Sequence, residues 1–70
     1  MNIGQRERDE LLIYADLITA RNRAYNSAQA FAIYDLYNRI YGETKKPNGC
    51  GACLRTTLQH LRRALETLSQ

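Results

Sequence analysis

The chain is poor in metal ligands, with one histidine and two cysteines in 70 residues. A complete zinc site wants four ligands. The histidine, His60, lies seven residues past Cys53, ~10 Å further along a straight helix. Zinc–ligand bonds are only ~2.0–2.3 Å long, so His60 cannot share an ion with Cys53 on one helix. Long hydrophobic runs are also missing. No stretch approaches the ~20 apolar residues of a membrane span, so no membrane is expected among its partners. The opening residues Met1-Asn2-Ile3-Gly4-Gln5-Arg6-Glu7-Arg8 have no apolar core and are not expected to act as a signal peptide. The expected location is the cytoplasm of the cell that makes it. No segment alternates apolar and polar residues with period two, so no strand is predicted. There are no internal repeats and no low-complexity tract.

What is present suits one small domain covering residues 1–70. A chain of this size buries only about 60% of its unfolded surface and often needs a disulfide, a metal or a partner chain. The formal charge is +3, and its placement is uneven. Residues 1–42 carry five arginines against five carboxylates. Residues 43–70 carry Lys45, Lys46, Arg55, Arg62 and Arg63 against Glu43 and Glu66, which leaves all of the +3 there. Such a surplus favours encounter with phosphate or an acidic protein.

The spacing predicts an all-α fold, a small three-helix bundle. The first helix runs over about residues 5–19. Leu11, Tyr14, Ala15 and Ile18 form its stripe, and Leu12, Ile13 and Leu17 widen it, so it is expected to be covered on more than one side. Acids in its first turns suit the helix dipole. The second helix is expected to start at Ser27 as N-cap, without a capping box because Ala30 stands where Glu or Gln is needed. Its stripe is Ala30, Ile33, Tyr34, Tyr37, Ile40 and Tyr41, and Gly42 ends it. Residues 20–26 read either as a loop or as more of the first helix. Residues 43–49, with Pro47, Asn48 and Gly49, are the clearest loop. The third helix begins near Cys50 and runs to about Leu68. Leu54, Leu58, Leu61, Leu65 and Leu68 are spaced as a bundle seam.

Cys50-Gly51-Ala52-Cys53 is the only constellation that could carry chemistry. At the start of a helix, thiols three residues apart point to one side. The amino end of the helix favours their thiolates. They can chelate a metal, close a disulfide or serve as small packing residues. Thiols stay reduced in a cytoplasm, which favours a metal or a free dithiol. Zinc on Cys50 and Cys53 would need ligands from a second chain or a partner. A dithiol redox protein is another reading, but the thioredoxin-type turn follows a β-strand, which this chain lacks. No catalytic residue is assigned, and an enzyme is not expected.

Tyr34, Tyr37 and Tyr41 share a face that reads as a core or boundary stripe. Lys45, Lys46, Arg55, Arg62 and Arg63 are the candidate binding residues, able to clamp phosphates or an acidic partner. The bland alternative is a solvated face, with Arg62 pairing with Glu66 at i, i+4. A helix-turn-helix usually has a turn of three or four residues, whereas this loop has about seven, which weighs against that mode of DNA binding.

The run Tyr37-Asn38-Arg39, Tyr41-Gly42, Lys45-Lys46 and Cys50-Gly51-Ala52-Cys53, with Arg55 soon after, resembles small, mostly uncharacterised proteins of tailed bacteriophages. In these an aromatic helix, a Lys-containing loop and a CxxC precede a basic C-terminal helix. The resemblance covers residues 34–65. It implies a virion, assembly or host-interaction role in the host cytoplasm or the virion. The expectation is a non-enzymatic protein that docks on a larger protein or on itself. The alternatives are a nucleic-acid-associated protein using the basic last helix and a dithiol redox protein using Cys50 and Cys53.

Overall fold

The computed structural model of the chain describes residues 2–20, 24–47, 49 and 51–68. Among these, four helical segments follow in order: α1 (Gln5–Ile13), α2 (Ala15–Thr19), α3 (Ser27–Tyr41) and α4 (Gly51–Leu68). No strand occurs among the described residues. The fold is all-α, and the first expected helix is two segments hinged at one residue.

That residue is Tyr14, with φ −94° and ψ 10°. The helical ladder runs up to it and resumes after it. Its N–H donates to the Glu10 carbonyl at 2.9 Å, and its own carbonyl accepts from Ile18 N–H at 2.8 Å. The bend lets Leu11 on one side and Leu17 and Ile18 on the other face the same core. It also turns Leu12 and Ile13 outward, 56% and 73% exposed. The expected coverage on a second side is therefore limited to Leu17.

α2 ends at Ala20, whose backbone is extended, and residues 24–26 are not helical. The described part of 20–26 is thus loop; residues 21–23 lie outside the described residues. The Tyr25 hydroxyl donates to the Leu17 carbonyl at 2.8 Å and holds this connection to α2.

α3 starts one residue earlier than expected, because Asn26 and not Ser27 is the N-cap. Its Oδ1 accepts from Gln29 N–H at 2.8 Å, and Gln29 Oε1 accepts from Asn26 N–H at 3.0 Å. This is a full capping box, and it corrects the assignment of Ser27 as a cap without one. Asn and Ser cap comparably well, so Gln three residues after Asn26 decides the register. Gly42 ends the helix in the left-handed region, φ 67° and ψ 35°. Glu43 N–H then donates to the Asn38 carbonyl at 3.1 Å, which satisfies an orphan carbonyl of the last turn.

α4 lies against each of the other segments. Leu61 and Ala64 are fully buried, with Leu58 and Thr57 nearly so. Leu54, Leu65 and Leu68 pack at the edge of the same core. Thr57 sits inside because its hydroxyl donates to the Cys53 carbonyl at 2.9 Å, so the helix itself satisfies the polar atom. From α3 the core takes Ile33, Leu36, Tyr37 and Ile40.

One polar cluster locks α1 to α3. Arg39 reaches Glu7 at 3.0 Å, Asp35 at 2.9 Å, and Glu10. Burial alone would lower the pKa of this guanidinium. The hydrogen bond and charge of Glu10, helped by Asp35, outweigh it and hold the pKa above its ordinary value. Asn2 N–H adds a 2.6 Å bond to the Ile40 carbonyl at the same end.

Candidate functional site: the basic loop and the last helix

The loop after Gly42 is positioned by Asn38. The Lys45 backbone N–H donates to Asn38 Oδ1 at 3.0 Å, and Asn38 Nδ2 donates to the Lys45 carbonyl at 2.7 Å. One amide side chain thus mimics a strand partner for Lys45. The pairing fixes where the Lys45 side chain leaves the loop, with its Nζ 5.1 Å from the Tyr37 ring centroid. That distance is within reach of a cation–π attraction.

Tyr37, Tyr41 and His60 form an aromatic trio beneath it. Ring centroids lie 5.0 Å apart for Tyr37–Tyr41, 5.8 Å for Tyr37–His60 and 5.6 Å for Tyr41–His60. The Tyr41 hydroxyl donates to the His60 backbone carbonyl at 2.8 Å. This trio welds the end of α3 to the middle of α4. Burial, and then the neighbouring Tyr37, push the Tyr41 hydroxyl pKa up, against a smaller opposing pull from the charge of Arg63.

The candidate binding residues fall into two groups. Lys45, Lys46, Arg55 and Arg63 are exposed. Among the described residues no carboxylate pairs with them. Arg62 is different. Its Nε donates to the Ile18 carbonyl at 2.9 Å and its Nη2 to the Ala20 carbonyl at 3.1 Å. Arg62 caps the carboxyl end of α2, where unpaired carbonyls and the negative end of the helix dipole attract a cation. It therefore does not join Arg55 and Arg63 on one exposed surface, and its guanidinium is occupied by α2 carbonyls instead of Glu66. Nothing in the local sequence marks it, because its partners lie more than forty residues away.

No protein-family model, curated protein or solved structure matches this chain. Its chemistry has to be read from the site itself.

Two grooves flank the loop. One, about 310 Å³, is lined by Tyr34, Lys45, Lys46, Cys53, Thr56 and Thr57. The other, about 340 Å³, has walls that include Tyr25, Asn26, Ala30, Tyr34, Pro47 and Leu54. Tyr34 lines both. The hydroxyls of Thr56 and Thr57 donate back to helix carbonyls at Ala52 and Cys53. Tyr34 and Asn38 are site residues that were not among the expected binding residues. Asn38 had no readable signal, since its partner is backbone. Tyr34 was visible as part of the aromatic stripe, without a hint that it would divide two grooves.

Cys53 stands exposed in the first turn of α4 and is disulfide-bonded. The chain has one other cysteine, Cys50, whose placement lies outside the described residues, so the expected convergence of the two sulfurs lies there too. A disulfide sulfur is not a thiolate, so zinc binding through Cys53 would first require reduction of that bond. Among the described residues no group of three or more His, Cys, Asp or Glu side chains is arranged to hold a metal. No helix among them is long and apolar enough to cross a membrane.

Proposed function

We propose that this chain is a non-enzymatic binding protein that docks on a larger protein partner carrying an acidic surface. The docking face is the loop and exposed side of α4 that present Lys45, Lys46, Arg55 and Arg63. One observation carries this reading. The carboxylates Glu7, Glu10 and Asp35 are consumed by Arg39, while those four cations have no ion-pair partner among the described residues. Positive charge is thus collected on a rigid support, because Asn38 fixes the loop and the leucine seam fixes α4. The resemblance to small tailed-phage proteins suggests the setting, a virion, assembly or host-interaction role in an infected cell.

The test is affinity capture from a host lysate with the untagged chain immobilised, before and after nuclease treatment. Wild type is compared with a variant carrying Lys45→Gln, Lys46→Gln, Arg55→Gln and Arg63→Gln. The proposal expects a protein species held by wild type, lost from the variant and unaffected by nuclease. Capture that disappears with nuclease, and weakens steeply with salt, would replace this reading with nucleic-acid binding.

A further inference from the structure

Tyr34 is 4% exposed, its hydroxyl makes no hydrogen bond among the described residues, and that oxygen is not among the atoms sealed from solvent, so the donor is open to a ligand. Here the side chain lines both grooves. On one side of it stand Lys45 and Lys46. On the other are the amino ends of two long helices, marked by Asn26 and Ser27 of α3 and Gly51 of α4. Unpaired N–H groups and the dipole make a helix amino end attractive to anions. Tyr34 therefore stands between a groove lined by two lysines and a groove lined by two helix amino ends.

We infer that Tyr34, Lys45 and Lys46 form a binding site for a phosphate dianion, free or carried as a monoester. The charge count selects that class. Two ammonium groups match a phosphate monoester, which carries about −1.5 to −2 at pH 7, better than they match a carboxylate or a phosphodiester, each bearing a single charge. Phosphate also has acceptor oxygens enough for three donors at once. Thr56 and Thr57 shape the wall, since their hydroxyl protons are already given to the helix. This inference rests on the reading of the loop as a docking face and specifies the group that the face would grip.

The experiment is a titration of isotope-labelled protein near neutral pH and at fixed ionic strength, following the backbone amides of residues 45, 46, 53, 56 and 57. The probes are inorganic phosphate, O-phosphoserine, acetate and dimethyl phosphate. The inference expects saturable shifts with phosphate, and affinity for acetate and dimethyl phosphate lower by about tenfold, the order of one lost charge-assisted hydrogen bond. Tyr34→Phe, which removes only the hydroxyl, and Lys46→Gln should each weaken phosphate by a similar factor, while Arg55→Gln should not. Phosphoserine binding as tightly as phosphate would assign the site to a monoester on a partner. Binding of inorganic phosphate alone would assign it to the free ion. Non-saturating shifts, equal response to acetate, or unchanged affinity in both Tyr34→Phe and Lys46→Gln would overturn it. Lys46 is exposed, so its variant keeps the test valid even if Tyr34→Phe perturbs folding. Should phosphate fail while the quadruple charge variant still loses its captured protein, the anion site falls and the docking reading stands. Phosphate binding with no charge-dependent capture is the reverse case.

Discussion

Arg62 and Arg63 are neighbours in sequence and opposites in role. Arg62 holds the carbonyls of Ile18 and Ala20, whereas Arg63 is exposed. Arg62→Ala should destabilise the fold by about 1–2 kcal/mol, because it strips a charged donor from two carbonyls at a helix end. Arg63→Ala should change stability by less than about 0.5 kcal/mol. Thermal unfolding of the pair checks this, and equal losses would remove the capping role of Arg62. Tyr41 makes a pH prediction. Its folded pKa lies above the unfolded one, so the folded state holds the phenolic proton more tightly. That contribution is complete below the unfolded value of about 10 and is lost as pH rises through the folded pKa. Wild type should therefore lose stability in alkali more steeply than Tyr41→Phe. The variant should also be less stable near neutrality, because it lacks the bond to the His60 carbonyl. Melting temperatures measured across the alkaline range test both points.

At the scale of elements, α4 carries the fold. Leu61 is fully buried at its middle, and Leu61→Ala should cost ~2–5 kcal/mol, a large share of the stability of a small domain. Chemical denaturation measures this directly, and a loss below ~1 kcal/mol would mean that α4 is not the central packing element. The leucine spacing made that helix legible, and Gly42 made the end of α3 legible, because both signals are local and strong. The start of α3 was misread because two adjacent residues, Asn26 and Ser27, both cap well, and the reciprocal bond with Gln29 settles which one does. The bend at Tyr14 was not legible, since no proline or glycine stands there. It follows from bringing Leu11, Leu17 and Ile18 onto one core. The same limit applies to the site. Charge placement showed where cations collect, but whether each one is free depends on partners distant in sequence. Arg39 lies 32 residues from Glu7, and that separation hid the cluster locking α1 to α3.

Over the whole molecule, the chain has the compactness usual for a folded chain of its length. Its radius of gyration is 11.1 Å, close to the ~11 Å expected for 70 residues. Charge is distributed unequally over this bundle. Glu7, Glu10 and Asp35 are drawn in around Arg39, and Lys45, Lys46, Arg55 and Arg63 are left outward. The account stands on that outward face being the one that meets a partner. Its most direct test is a backbone-amide titration of the labelled protein with a polyglutamate peptide, with a single-stranded DNA oligonucleotide of equal charge as comparator. The account predicts peptide-induced shifts confined to residues 43–47 and to the exposed side of α4 around Arg55 and Arg63, removed by the quadruple charge variant, with DNA no tighter than peptide. Shifts centred instead on the Leu12, Ile13 and Phe31 surface, or much tighter binding of the DNA, would contradict it.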